Sequence, residues 1–290
     1  MVAEIIQLAF SNVTALPIQL VSETRTVSWQ FYITLLISSL FIFWFFGTLF
    51  VSRSRSFLIK MYLRLIKMIV KRRILLIKHT DMGLFSLQMI DVDSLRRITR
   101  ALMEFKNKPF DLILHTPGGE LFAALHLSRL LRDYPSKIRT IIPFYAMSAG
   151  TLLSLSTNEI ILGPNASLGP IDPQVGTFFK YGSAKSWDKI VRFKGKKADD
   201  SSIAFQLLGK QATKTMKDYM YKLLENKLPD DLRRKFINRI VSGEVEHSYP
   251  LTYEELMSYG LPVNQIKNKK ILNLIYKIIR INTQQTIFYV

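Results

Sequence analysis

Apolar and polar positions fall into two regimes along the chain. Residues 29–51, WQFYITLLISSLFIFWFFGTLFV, carry no charge, and a run of that length and composition can cross a bilayer as a helix. Trp29 and Tyr32 stand near its start, where amphipathic rings favour the membrane–water interface. A cleaved signal peptide would place its positive charge before the apolar stretch and a small-residue site after it. Here the positives follow and Phe, Trp and Leu fill the tail end, so the segment reads as an uncleaved anchor. A buried core helix is the alternative, but the cluster of Phe beside Trp44 shows no polar face.

Beyond the anchor the periodicity changes. SFLIKMYLRLIKMIV, 56–70, spaces Lys60, Arg64 and Lys67 three or four apart among Leu, Ile and Met. That pattern predicts a basic amphipathic helix along a membrane surface, or a plain helical connector. Strand-like runs then alternate with helix-like ones. Strands are predicted at 73–79, 109–116, 138–146 and 159–164, and helices at 91–105, 119–134 and 148–157. Such alternation argues for parallel βαβ units, whose loops at the carboxyl ends of the strands gather sites. Residues 165–200 are weakly patterned and read as a long loop or small insertion. Helices follow at about 201–226 and 230–241, and a capping-box spacing joins Thr252 to Glu255. The tail, 266–282, is basic and apolar, suited to a second surface helix and too charged to span a bilayer.

Charge changes this picture in one respect. The net charge of +18 requires an anionic neighbour, either nucleic acid or a lipid surface. Its location favours lipid: Arg53, Arg55, Lys60, Arg64, Lys67, Lys71, Arg72, Arg73 and Lys78 lie directly after the apolar run. No nucleic-acid-binding motif is present, so no nucleic-acid partner is expected. The other flank carries Glu4, Glu23 and Arg25, so the positive-inside rule puts the large C-terminal part in the cytoplasm. With no cysteine there is neither disulfide nor thiolate ligand. The four histidines, His79, His115, His126 and His247, show no metal-ligand spacing, so no metal is expected.

Two glycine-containing turns carry the candidate chemistry. HTPGGE, 115–120, and YAMSAGTLLS, 145–154, each lead from a strand into a helix. A serine on such a turn, Ser148, exposes its hydroxyl, and the N–H of Ala149 points toward a developing oxyanion. A Gly-Gly turn on a neighbouring strand can bring the N–H of Gly119 to the same point, glycine leaving room for the approach of a peptide. The residues alone leave alternatives open: Gly-Gly before a helix can bind phosphate, and a serine opening a helix is often only a cap.

The segments LILHTPGGELFAALHLSRLL and IIPFYAMSAGTLLSLSTNEIILGPNASLGPIDPQ resemble the oxyanion and nucleophile motifs of the ClpP/crotonase superfamily, the second in the form found in SppA-type peptidases. The arrangement is most similar to the serine dehydrogenase proteinase family: a membrane helix, a basic juxtamembrane segment, HTPGG, a nucleophile turn in which Ala149 replaces a frequent glycine, and LGPxDPQ. No nucleotide-binding GxGxxG or pyridoxal-type site supports a dehydrogenase activity. The resemblance implies an α/β fold of ClpP/crotonase-like ββα units with a parallel sheet, behind one transmembrane helix. It implies a serine peptidase without a cofactor, with Ser148 as nucleophile, Gly119 and Ala149 forming the oxyanion hole, and assembly into a homo-oligomer.

The base is less legible. SppA-like relatives use a lysine, which serves when burial lowers its pKa. The long helix after the loop offers Lys210 and Lys214 on one face, with Lys217 beyond, and Lys197 lies in the loop before it. Lys210 is the expected partner, with Lys214 next. ASLGPIDPQ contains no histidine where ClpP has its catalytic one, and Asp172 there reads as a turn former between prolines. His115 either lines the site or makes a structural hydrogen bond. His247, before the capped helix, matches a recurring feature of the family without an assigned chemical role.

The chain is thus expected to comprise a short N-terminal segment (1–28), a transmembrane helix (29–51), a basic juxtamembrane segment (52–72), a peptidase domain (73–265) and a basic amphipathic tail (266–290). The expected function is ATP-independent hydrolysis of membrane-derived or unfolded peptides by a Ser-Lys dyad, no P-loop being present. An inactive membrane scaffold and crotonase-like acyl transfer are the alternatives.

Overall fold

The computed structural model describes residues 29–79, 88–177 and 180–290; the segment expected over 1–28, with Glu4, Glu23 and Arg25, lies outside the described residues. The chain divides into two units, 1–51 and 52–290. The described part of the first is helical, the opening stretch of α1 (Trp29–Val70). Its described side chains are exposed, Trp29 and Phe43 by 83% and 80%. Burying so much apolar surface in lipid rather than water is favourable, and this helix is long and apolar enough to cross a membrane.

The second unit is built on one sheet. Its strands are β1 (Arg73–Lys78), β2 (Phe110–His115), β3 (Ile138–Ile142), β5 (Glu159–Leu162), β9 (Val263–Gln265) and β10 (Ile287–Tyr289), in the order β10-β1-β2-β3-β5-β9. All neighbours are parallel except β10, which pairs antiparallel with β1, Leu76 opposite Phe288. The central strands are Leu- and Ile-rich because both faces are covered. On one face Leu75, Ile77, Leu112, Leu114, Ile138 and Ile142 meet α2 (Val92–Phe105), α3 (Leu121–Arg132), α4 (Ala149–Leu155), α6 (Asp200–Leu223) and α7 (Asp230–Val241). On the other, Ile74, Leu76, Ile113 and Ile141 meet Ile59, Leu63 and Ile66 of α1 and Ile271, Ile275 and Ile278 of α9 (Lys269–Arg280).

This second layer changes two expectations. The apolar stripe of 56–70 does not lie free for a membrane surface: Ile59, Leu63 and Ile66 are fully buried against the sheet. The tail is likewise part of the fold, α9 covering the sheet and β10 extending its edge. A stripe at helical spacing is the same whether it meets lipid or a β-sheet, so periodicity does not distinguish them. The stretch read as a long loop or small insertion over 165–200 holds β6 (Ser167–Leu168), the hairpin β7 (Gln174–Gly176) and β8 (Tyr181–Ser183), and α5 (Ala184–Lys194). The expected α/β class, with alternating strands and helices and a mostly parallel sheet, is what the structure has.

Candidate active site

Ser148 stands between β4 (Tyr145–Ala146) and α4 with φ 48° and ψ −113°. A non-glycine residue persists in that region only where its surroundings hold it, and such strain gathers at functional turns. Although Ser148 occupies the N-cap position, its side chain makes no cap hydrogen bond, which leaves the hydroxyl uncommitted to the helix. Gly150 permits the turn: a Cβ there would lie 2.5 Å from Thr116 Cγ2 and 3.1 Å from Ala146 Cβ.

The second turn is stitched to the first. Thr116 N–H donates to Tyr145 O (3.3 Å), and Met147 N–H donates to Thr116 O (3.0 Å). Gly118, at φ +125°, approaches so closely that a Cβ would be 2.9 Å from that of Ser148. Ile90 N–H donates to Gly118 O (2.9 Å), and Glu120 N–H donates to Ile90 O (2.8 Å). In extended backbone successive residues face opposite ways, so the N–H of Gly119 is turned away from Ile90. The N–H groups of Gly119 and Ala149 take no part in these bonds. Glycine is required at 119 for a different reason from the one expected: a Cβ would sit 2.1 Å from Ile90 O. It admits the backbone of Ile90, which bridges to Gly119.

A cavity of about 330 Å³ opens beside the two turns. Gly118, Gly119, Ser148 and Ala149 line it, with Leu121, Leu152, Ile171, Val175 and Met216 making much of the wall. Asp172 and His247 line it too. His247 Nδ1 is 2.7 Å from Asp172 Oδ1, and Gln174 Nε2 donates to Asp172 Oδ2 (2.8 Å). The Asp172 side chain is only 4% exposed. Its loop is fixed to α4: Thr151 Oγ1 donates to Gly169 O (2.8 Å) and accepts from Gly169 N–H (3.0 Å). Ile171 N–H, which donates to Ile240 O (2.8 Å), ties the loop to α7. A carboxylate on Nδ1 holds the proton there and leaves Nε2 as the basic nitrogen.

The lysines lie elsewhere. Lys210 Nζ is 3.0 Å from Asp188 Oδ1, its side chain 56% exposed. Lys210, Lys214 and Lys217 line an adjoining cavity of about 660 Å³, which shares Asp172 with the first but does not include Ser148. On α6 the stripe facing Ser148's cavity is Ala212 and Met216, whereas 210, 214 and 217 form another stripe. The structure therefore does not bring Lys210 or Lys214 together with Ser148, and Lys197 lies exposed in the turn after α5. His115 points to the opposite face of the sheet, its ring 4.4 Å from that of Tyr145 and 5.7 Å from that of Phe144. Burial, with the Lys78 charge nearby, lowers its pKa to about 4. His126 packs on Phe122.

Sequence reasoning missed the pair Asp172 and His247. The available signals were the family's LGPxDPQ loop and a histidine recurring before a capped helix. Neither indicates that the two meet.

Comparison with known proteins places this arrangement. Residues 27–290 match the family model described as ClpP-like SDH-type serine proteinase. An uncharacterized protein of Methanocaldococcus jannaschii, MJ0137, is 36% identical over 192 residues, 64% of this chain and 66% of its own length. A second from that organism, MJ1495, is 34% identical over 197 residues, 68% of this chain and 66% of its own. The match thus spans slightly less than two thirds of these relatives. Among solved structures, a mutant of the 1510-N membrane-bound stomatin-specific protease aligns with a TM-score of 0.46 and 16% identity, covering 68% of this chain and 88% of that one. ClpP1 from Listeria monocytogenes aligns with a TM-score of 0.45 and 14% identity, covering 71% and 97%. With the family model covering nearly the whole chain, this protein belongs to the ClpP-like SDH-type serine proteinases.

Proposed function

We propose that this protein is a membrane-tethered serine endopeptidase working through Ser148, His247 and Asp172. His247 Nε2 takes the Ser148 proton as Oγ attacks the scissile carbonyl. The N–H groups of Gly119 and Ala149 receive the oxyanion. His247 then gives its proton to the leaving amine, and water releases the acyl group by the same steps in reverse roles. The Asp172 carboxylate stabilises the imidazolium. The observation that carries this reading is the His247–Asp172 hydrogen bond at the wall of the cavity that also holds the Ser148 turn. It replaces the Ser-Lys dyad, whose expected lysine is paired with Asp188 in the adjoining cavity.

The substrates are extended peptide segments, membrane-derived or unfolded, and the apolar wall suits an apolar side chain beside the cleaved bond. The anchor is a single membrane pass, with the exposed Arg53, Arg55, Lys60 and Arg64 at the cytoplasmic side against anionic lipid, whereas Lys78 is buried and Arg72 is paired with Asp111. Assembly into a homo-oligomer accompanies this, by analogy with the family.

The test is labelling of the purified full chain with a fluorophosphonate probe, beside Ser148→Ala, His247→Ala and Lys210→Ala. Labelling lost in the first two and kept in the third supports the triad. Loss in Lys210→Ala with retention in His247→Ala returns the role to the dyad, and a wild type that never labels leaves the scaffold reading.

A further inference from the structure

The turn Pro117-Gly118-Gly119-Glu120 has three backbone N–H groups, since proline has none. Gly118 N–H donates to Thr116 Oγ1 (3.1 Å), and Glu120 N–H donates to Ile90 O. Gly119 N–H alone is not drawn into holding the turn. Ile90 secures one side by its backbone. The other side depends on a single hydroxyl, that of Thr116.

That hydroxyl is in turn held by a histidine. Thr116 is fully buried and His79 only 1% exposed. His79 Nδ1 lies 2.7 Å from Thr116 Oγ1, and Thr116 Oγ1 is 3.2 Å from Gly118 O. His79 is itself anchored where its N–H donates to His115 O (2.8 Å). A hydroxyl offers one hydrogen and two lone pairs. Gly118 N–H occupies one pair and Gly118 O receives the hydrogen, so the second pair accepts Nδ1–H of His79. This assignment leaves His79 Nε2 without a proton, and Nε2 is a buried atom with no partner among the described residues. The other tautomer would put an unpaired N–H there, which is costly.

We infer that His79 is a positioning residue for the oxyanion turn: it locks the Thr116 hydroxyl, which orients Gly118 and so aims Gly119 N–H at the carbonyl attacked by Ser148. This rests on the proposed peptidase reading. A loosened turn weakens binding of the oxyanion more than of the ground-state peptide, so it acts on kcat rather than KM.

The test compares Thr116→Val and His79→Ala with Thr116→Ser and His79→Asn in the full-length protein. Ser keeps the hydroxyl, and Asn places an amide N–H where Nδ1 lay. Steady-state cleavage of a fluorogenic peptide is measured with inhibition by a peptide boronate, whose tetrahedral adduct uses the same hole. In Thr116→Val, kcat is expected to fall about a hundredfold, KM to stay put and boronate affinity to fall with kcat. His79→Ala should follow in the same direction, with Ser and Asn restoring most of the loss. Should Thr116→Val fail to fold, His79→Asn against His79→Ala decides. Wild-type kcat in the Val and Ala variants overturns the inference, as does a loss in KM alone or an equal loss in the conservative pair. A wild type whose cleavage survives Ser148→Ala would instead sink the peptidase reading, and this inference with it.

Discussion

His247 Nδ1 lies 2.7 Å from Asp172 Oδ1, across 75 positions of sequence. Both side chains reach the wall of the cavity that holds Ser148. In the proposed triad, Ser148 as nucleophile, Asp172 as orienting carboxylate and His247 as base come from three separate stretches of the chain.

If this triad operates, Asp172→Asn is a sharper probe than deletion. The amide keeps the size of the side chain but stabilises the wrong imidazole tautomer, so kcat should fall about a thousandfold or more with folding retained. Lys210→Ala should leave kcat within about twofold, since the exposed pair it breaks with Asp188 is worth little. Peptide cleavage kinetics on the two variants decides. A silent Asp172→Asn beside an inactive Lys210→Ala would reverse the assignment.

Gly119 is not a clean handle on the oxyanion hole. Gly119→Ala should destabilise by about 1–3 kcal/mol or prevent folding, because its Cβ would be driven into Ile90 O at 2.1 Å. Thermal melts followed by circular dichroism would register this, and a melt unchanged from wild type would show that the contact with the Ile90 backbone yields easily.

Lys227 closes the far end of α4. Its Nζ donates to Leu155 O and Thr157 O, each at 2.5 Å, and burial lowers its pKa to about 8. Lys227→Met keeps the length but leaves both carbonyls without that donor, and should cost about 1–3 kcal/mol in a denaturant titration. An unchanged midpoint would mean that water replaces the ammonium without loss.

Burial also sets an acid limit on stability. His79 and His115 both have their pKa lowered from 6.5 to about 4, desolvation being the largest cause for each. Between those values the unfolded chain binds more protons than the folded one. Stability is therefore complete above pH about 6.5 and is lost as pH falls toward about 4. Each full shift is worth about 3 kcal/mol at most. His115→Phe should flatten the slope of unfolding free energy against pH by about half, and an unaltered slope would exclude His115 as a contributor.

The membrane topology can be read with fusions. A reporter placed after Val290 is expected to be active only in its cytoplasmic form, because the basic run follows the apolar one. Activity of an exterior-dependent reporter would reverse the orientation.

Local pattern was enough for the α/β class, since strand and helix periodicities and turn chemistry act over a few neighbours. The strands from 73, 110, 138 and 159 and the helices between them stand where alternation predicted. The two turns at HTPGG and AMSAG were legible for the same reason: a serine forced to φ 48° and a glycine at φ +125° belong to short motifs. What an apolar stripe packs against is not local. Ile59, Leu63 and Ile66, and Ile271, Ile275 and Ile278, have the spacing of a membrane-surface helix, yet only the folded sheet supplied a partner that buries them. The proposed general base was hidden likewise. Lys210 and His247 are both polar residues beyond the nucleophile in sequence. Their relation to Ser148 depends on which stripe of α6 turns inward and on where the chain returns after α7. Asp172 gained its partner only when Thr151 fixed its loop to α4 and the segment beyond α7 brought His247 beside it. Sequence separation places no bound on such meetings, because packing of distant elements, rather than spacing along the backbone, brings their side chains within hydrogen-bond reach.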